Sequence, residues 1–592
     1  MKSSVEKTRG RVIITKRSET LLILPLIFVL FVIGILPLFS VTYNSFLYHS
    51  AKEETFAGFK NYLFILSDKG FYLSVAITLL WSILNTLFTI TISFLLAASI
   101  YQNNSLYKIL HPFLLIPIVI PVFITIPLWR AVCFGDGMNS LLNTLTGIKI
   151  NLFLDPTSSF IITLTASIWL YIPISTLVIL GVIRNIPRYT IESARLEGAS
   201  DTRINTEIIL PQIKETIVAL SVIVFIKRFK EFTLIFLMTG GGPPLLSGFS
   251  GRNIIGATTT LELYLYNTFI KNNDIGISSA FSVIMILILI LLIILWRVII
   301  RIKRRASSPL RFHILPDINI NRPISTLFSI FIIILSFTLI YQVVWMSLSA
   351  ISVNYIDRII PAHLTLKNFP LLISRYKITK NLINTLLLAL PTALLTLSIV
   401  IPASHFLKKL KKLHAHSFLI SIQILGVLSG MHTLTALYVV LMKLKLLDSY
   451  TPIIIIYVFH SVGFALYTYF TFIRGIPPSL RELGIVEGAS NLYYIRKVLI
   501  PLSLPIIGAI FIVAFLNAWN GFLIPLILLT TDSKYPISLV LYSFIGNIGE
   551  GITHWNLFAA ASLINALILI LLFIPMRKYI TTSFLSRYQN SE

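Results

Sequence analysis

The chain has 592 residues, of which 56% are hydrophobic and 12% are charged, and its mean hydropathy is +0.87. This composition excludes a soluble protein, which could not keep so much apolar side chain out of water, and it predicts several membrane spans. The net charge of +25 does not indicate nucleic-acid binding, because the basic residues lie between apolar runs and do not form one polar face. These residues indicate contact with the membrane surface. The lone cysteine, Cys133, cannot form an internal disulfide.

Twelve apolar runs are long enough to cross about 30 Å of hydrocarbon as helices. The six in the first half are residues 20–43, 71–100, 109–134, 159–183, 212–239 and 275–302. The six in the second half are residues 322–350, 379–405, 416–442, 451–474, 500–530 and 555–576. Basic groups concentrate on one side of this arrangement, which predicts that both termini are cytoplasmic. A basic linker at 303–321 separates a first permease half, 1–302, from a second half, 322–592.

An internal repeat is the strongest signal in the sequence. Residues 183–211 align without a gap with residues 473–501, and ten of the 29 positions are identical, which indicates a duplication. Each half has an even number of predicted spans, so the repeat is parallel and not inverted. In both copies, 187–211 and 477–501, a proline begins a short helix and a glycine ends it. The pattern predicts a helix-turn-helix on the cytoplasmic surface that inserts into a groove on a partner.

The repeated segment resembles the ATPase-coupling loop of binding-protein-dependent ABC import permeases. That loop has the pattern E-A-A, three residues, G, nine residues, I-x-L-P. The matching residues are Glu192, Ala194, Gly198 and Pro211 in the first copy and Glu482, Gly488 and Pro501 in the second, where Gly484 replaces the second alanine. Three further segments resemble the carbohydrate branch of maltose- and oligosaccharide-type permeases; they are Phe236 to Pro243, Ala518 to Phe522 and Trp555 to Ser562. The predicted fold is an all-α, MetI-like type I importer permease with about 12 transmembrane helices in two parallel repeats of six.

The resemblance implies import of a sugar by alternating access across the cell membrane of a bacterium or archaeon. It implies two separate ATPase subunits, an extracytoplasmic substrate-binding protein, and no cofactor in this chain, with ATP and magnesium bound by the partner subunits. The dipeptide Gly-Lys of a phosphate loop does not occur, so the chain is not itself the ATPase. Fused permeases for ferric iron or thiamine are the alternative within the class. An ion-driven secondary transporter is disfavoured by the parallel repeat and the two coupling loops.

Four charged residues in the fifth span predict the position of the substrate site. Lys227, Arg228, Lys230 and Glu231 lie about 16 to 20 residues past Pro211, which places them near mid-membrane at 1.5 Å per residue. Charges there must face a cavity or a partner. One interpretation is a structural pair of Lys227 and Glu231 at i, i+4. The other, which the resemblance implies, is contact with the substrate, and it leaves both an anionic and a neutral sugar possible.

The resemblance adds four candidate substrate residues outside that charged run. Ser167 and Tyr171 lie on one face of the fourth span. Trp519 and Asn520 lie in the second half near the positions equivalent to the charged run. Asn520 can hydrogen-bond sugar hydroxyls, whereas Trp519 fits either stacking on a sugar ring or plain packing.

Other polar residues carry no predicted role. His414, His416 and His432 have no acid or cysteine neighbour in the sequence, so no metal site is predicted. Asp448 falls in an extracytoplasmic loop, where it is predicted to be a solvated acid.

Overall fold

The computed structural model describes most of the chain. The described residues are 21–49, 54–102, 120–134, 154–248, 253–268, 274–305, 344–352, 363–427, 429–477, 479, 493, 495–546 and 553–585. Most of the predicted linker, 303–321, and two predicted coupling residues, Glu482 and Gly488, lie outside them.

The described chain is mainly helical. Up to residue 305 its helices are α1 (Leu21–Ser45), α2 (Lys60–Ser67), α3 (Lys69–Gln102), α4 (Val122–Phe134), α5 (Pro156–Ile183), α6 (Arg188–Leu196), α7 (Asp201–Phe229), α8 (Thr233–Met238), α9 (Leu261–Tyr266) and α10 (Ile275–Arg305). Beyond it they are α11 (Asn368–Ser374), α12 (Ile378–Lys409), α13 (Lys412–Val427), α14 (Met431–Lys443), α15 (Tyr450–Arg474), α16 (Ile500–Trp519), α17 (Leu523–Leu528), α18 (Ile537–Ile545) and α19 (Trp555–Leu585). The strands are β1 (Leu47–His49), β2 (Glu54–Phe56), β3 (Pro244–Gly248) and β4 (Asn253–Gly256), and β3 pairs with β4 in an antiparallel hairpin.

The all-α membrane fold is confirmed. Among the described residues, nine helices are long and apolar enough to cross a membrane, or ten if the bent pair α13 and α14 forms one span. Parts of the spans predicted at 109–134 and 322–350 lie outside the described residues. Helices α1, α3, α5, α10, α12, α15 and α19 match predicted spans to within a few residues at most ends.

The chain forms two compact units. The N unit comprises Tyr48–Leu372 and Leu541–Leu563, and the C unit comprises Met1–Leu47, Ile373–Val540 and Ile564–Glu592. Helices α3, α5 and α7 pack together in the N unit, and their counterparts α12, α15 and α16 pack together in the C unit. Helix α1 packs against α12, α14 and α15, so the first span belongs to the C unit.

The two units anchor a short helix in the same way. The first four N–H groups of a helix lack partners within it. In the N unit, Thr78 Oγ1 on α3 accepts a 2.8 Å hydrogen bond from Leu261 N, at the start of α9. In the C unit, Thr385 Oγ1 on α12 accepts a 2.9 Å bond from Ile537 N, at the start of α18. The duplication therefore extends beyond the coupling loops to buried polar contacts.

The fifth span of each half departs from the predicted 212–239 and 500–530. Helix α7 begins at Asp201 and continues through Pro211, because a π-helical turn at Ile204–Ile209 pairs Leu210 N with Asn205 O and accommodates the missing proline N–H. The predicted boundary at Pro211 is therefore wrong.

Both fifth spans are also interrupted. In the N unit, α7 ends at Phe229, and α8 begins at Thr233 after residues 230–232, which we call the first break. In the C unit, α16 ends at Trp519, and α17 begins at Leu523 after residues 520–522, the second break. Neither break was predicted, because each lies within one run of membrane length whose two ends are apolar.

Candidate docking loop and substrate site

The first coupling loop has the predicted helix-turn-helix form. Helix α6 follows Pro187 and ends in a Schellman motif, in which Ala199 N donates to Ala194 O at 2.9 Å and Gly198 N donates to Arg195 O at 3.0 Å. Gly198 has a φ of +81°, which favours glycine. Ser200 then caps α7 by accepting from Arg203 N at 3.3 Å.

The loop is packed firmly on one side and exposed on the other. Ile191 of α6 and Ile204 of α7 lie in a buried cluster with Ile183 at the end of α5. Glu192 is exposed on the opposite side, and Leu196 is 89% exposed. An exposed acid and a large apolar side chain on a rigid support suit insertion into a partner's groove.

The first break contains a buried ion pair. Arg228 Nη1 donates to Glu231 Oε2 at 2.6 Å, and the two side chains are 3% and 10% exposed. Arg228 Cζ lies 3.3 Å from the centroid of the Tyr171 ring, a cation–π contact, and Nη1 is 3.5 Å from Ser167 Oγ. The structure thus brings together four predicted site residues from the fourth and fifth spans.

The same acid also stabilises the break in the helix. Glu231 Oε1 accepts from Leu234 N at 3.3 Å, which caps α8, and Glu231 O accepts from Thr260 Oγ1 at 3.2 Å. Glu262, buried on α9, attracts Lys230. Thr260 and Glu262 were missed from the sequence, where the only signal was an acid within the apolar run that forms α9.

The predicted structural pair of Lys227 and Glu231 is wrong, because Glu231 has a different partner. Glu231 pairs with Arg228 at i, i+3, and the Lys227 side chain is exposed. Lys227 therefore lies on the same helix as the ion pair but outside the buried cluster.

The second break carries a complementary set of side chains at equivalent positions. With the offset of the repeat, Ser167, Tyr171, Arg228 and Glu231 correspond to Tyr457, Ser461, Ala518 and Gly521. At each of the four positions, a large side chain in one half corresponds to a small one in the other half. A Cβ at Gly521 would overlap the Tyr457 hydroxyl, so the tyrosine ring fills the space that a side chain at position 521 would need.

Trp519 and Asn520 lie at the second break. The Trp519 ring is 2% exposed, stacks on Phe515 with centroids 5.3 Å apart, and donates from Nε1 to Asn565 Oδ1 at 3.1 Å. Asn520 caps the C-terminus of α16. The neighbouring Asn517 Nδ2 donates to Ser461 Oγ at 3.0 Å. The indole is thus packed in this conformation, and contact of Trp519 or Asn520 with substrate stays a prediction.

Asp448 is more than a solvated acid. It accepts hydrogen bonds from Thr530 N, Thr531 N and Thr531 Oγ1, and Lys534 Nζ donates to its Oδ2 at 2.8 Å. Bonding to Lys534 holds the pKa of this carboxyl well below its usual range. Asp448 therefore ties the loop before α15 to the loop after α17.

Comparison with known proteins identifies the class. The family model of the binding-protein-dependent transport system inner membrane component matches residues 89–306 and again 374–580. The chain belongs to this family and is a multi-pass membrane permease of the ABC importer type. The two matches confirm the fused duplication.

Individual relatives each match between about a third and a half of the chain. The trehalose/maltose transport system permease protein MalF of Thermococcus litoralis is 27% identical over 289 residues, which cover 48% of this chain and 94% of that protein. A putative ABC transporter permease protein of Streptomyces antibioticus is 31% identical over 204 residues, which cover 34% of this chain and 88% of that protein. A solved bacterial ABC transporter involved in the import of the acidic polysaccharide alginate aligns at 18% identity and a TM-score of 0.38, over 44% of this chain and 96% of that chain.

Proposed function

We propose that this permease imports a sugar, driven by two separate ATPase subunits that dock on its two coupling loops and bind the ATP and magnesium. An extracytoplasmic binding protein delivers the sugar, and both termini of the permease are cytoplasmic. The main observation behind this proposal is the first coupling loop, in which a capped helix packs on α5 and α7 and exposes Glu192 and Leu196. Such a loop transmits a push from its partner directly to the fifth span.

The relatives support a sugar as the cargo. The Thermococcus litoralis protein named for trehalose and maltose aligns over 94% of its own length. This favours a sugar over the ferric iron or thiamine of other fused permeases. We expect the fifth span of each half to contact the substrate at its break, at the end of α7 and at the end of α16.

The buried charges at the first break support a neutral sugar over an anionic one. Glu231 neutralises Arg228 and Glu262 offsets Lys230, while the remaining cation, Lys227, is exposed outside the buried cluster. An anion binds well where cations are uncompensated, whereas charged pairs also serve as strong hydrogen-bond partners for hydroxyl groups. We therefore assign the cluster of Ser167, Tyr171, Arg228 and Glu231 to hydroxyl recognition.

Charge reversal at the coupling loops tests the proposal. The permease is reconstituted in liposomes with its ATPase subunits and binding protein, and ATP hydrolysis is measured together with uptake of radiolabelled maltose and trehalose. We expect Glu192→Lys combined with Glu482→Lys to leave the permease folded but to abolish ATP-driven uptake.

The matched control is Glu215→Lys, because Glu215 is an exposed acid on α7 that lies outside the coupling loop 187–211. We expect this single reversal to keep ATP-driven uptake. Full coupling in the double reversal would refute the docking assignment. Uptake of ferric ion or thiamine with no sugar uptake would refute the cargo.

A further inference from the structure

Buried polar atoms without partners lie at and beside the second break. Tyr457 is 3% exposed and Asn565 is fully buried. Tyr457 Oη, Asn520 Oδ1 and Asn565 Nδ2 have no hydrogen-bond partner among the residues that the structure describes. Buried polar groups are normally paired, and an unpaired one is costly.

These three atoms belong to one place in the C unit. The tip of the Tyr457 ring lies against Gly521, which follows Asn520 directly in the break. Asn565 contacts Trp519, the residue before Asn520. Trp519 Nε1 donates to Asn565 Oδ1, and the amide nitrogen of Asn565 has no partner among the described residues. The three residues thus lie at, or contact, the end of α16 and the break that follows it.

Their chemistry matches hydroxyl groups. The asparagine oxygen accepts, the asparagine nitrogen donates, and the tyrosine hydroxyl does both. Tyr457, Asn565 and residues 517–522 carry no charge, so none of these residues would supply a counter-charge to an ionic ligand. A sugar hydroxyl both donates and accepts, so it can pair with any of the three atoms.

We propose that the second break is a sugar-binding subsite in which Tyr457, Asn520 and Asn565 bind hydroxyl groups of an uncharged part of the substrate. This rests on the proposed function and assigns part of the recognition to the C unit. In the described conformation Tyr457 closes against Gly521, so the substrate gains these bonds only when the break rearranges. The unpaired atoms are then the groups that the transported sugar satisfies.

A pair of tyrosines on α15 supplies the test. Tyr457→Phe removes a hydroxyl without a partner. Tyr469→Phe is the matched control, because Tyr469 is equally buried but its Oη lies 3.2 Å from Ser503 Oγ. The full complex is reconstituted with its ATPase subunits and binding protein, and thermal stability and uptake of radiolabelled maltose and trehalose are measured.

We expect opposite outcomes for the two variants. Tyr457→Phe should keep or raise the melting temperature, because no hydrogen bond is lost, and lower sugar uptake by about tenfold, the effect of losing one well-placed bond. Tyr469→Phe should lower the melting temperature and keep uptake per folded permease. A lowered melting temperature with full uptake in Tyr457→Phe would overturn the subsite.

A second measurement separates this proposal from the proposed function. Cys133 is the lone cysteine and is buried, so Asn520→Cys in a Cys133→Ala background reports access of a charged methanethiosulfonate reagent. If the wild-type complex transports neither sugar, the proposed cargo fails, whereas labelling in the vanadate-trapped complex still supports the opening of the second break to solutes, which the subsite requires. No labelling in either the ATP-free or the trapped complex overturns the subsite.

Discussion

Arg228 donates a 2.6 Å hydrogen bond to Glu231 across the break in the fifth span of the N unit. Both side chains are buried, so each neutralises a charge that would be costly alone. The pair also explains why the helix stops, since the acid that binds Arg228 caps the next helix through Leu234 N.

Removing one partner of this pair should cost more than removing both charges. Glu231→Ala leaves Arg228 buried without a counter-charge, and we expect a loss of about 3–5 kcal/mol in the free energy of unfolding. Arg228→Met with Glu231→Gln should lose clearly less, because neither side chain is charged and Gln can still cap α8. Unfolding in a denaturing detergent titration measures both, and equal losses would contradict an energetic role for the ion pair.

Arg228→Ala with Glu231→Ala should lower uptake while the complex still assembles.

A side chain at position 198 should be destabilising because of the backbone angle and not because it would overlap neighbouring atoms. A Cβ at this position would meet no atom within 4 Å, whereas the φ of +81° disfavours any side chain. We expect Gly198→Ala to destabilise the end of α6 by about 1–2 kcal/mol and Gly198→Asn by less, because Asn tolerates the left-handed region. Hydrogen exchange of the α6 amides measures the loss. Equal protection in Gly198→Ala and the wild type would rule out this reading.

Asp448 should make the stability of the permease depend on acid pH. Its carboxyl has a lowered pKa in the folded state, chiefly through Lys534, so the ionised form contributes stability at all pH values above the ordinary value of about 3.9. That contribution is lost as the pH falls below about 4 towards the lowered folded-state pKa. Melting temperatures measured between pH 2 and pH 7 should fall less steeply at the acid end in Asp448→Asn, and also in Lys534→Met. Identical profiles in all three proteins would exclude this bond as the cause.

Gly521 should tolerate no side chain while Tyr457 is present. A Cβ would overlap the tyrosine hydroxyl, and we expect Gly521→Ala to destabilise the permease by about 3 kcal/mol. Adding Tyr457→Ser, the residue at the equivalent position of the first half, should recover part of the loss. Gly463→Ala is the control, because a Cβ there would find its nearest neighbour at 3.6 Å. The melting temperature measures all three, and an unchanged value in Gly521→Ala would contradict the close packing.

The sequence determined the class of this protein, because its signals are local and repeated. Apolar runs of membrane length predict helices directly, since unpaired backbone groups are too costly in lipid for other structures. The two copies of the coupling pattern predicted the duplication, which the two family matches confirm. The turn at Gly198 was likewise predictable, because a glycine after a short helix is a local signal.

Tertiary structure alone decided how the charged run is used. Helical spacing allowed Glu231 to pair with either Lys227 or Arg228, and the choice of Arg228 depends on Tyr171 and Ser167 from another span. The first break was hidden for a related reason, since one of the contacts that stabilise it comes from Thr260, 29 residues beyond Glu231. The membership of α1 in the C unit also depends on packing between distant segments. Periodicity and hydropathy indicate which residues are buried, but they do not show which distant side chain each buried polar group bonds.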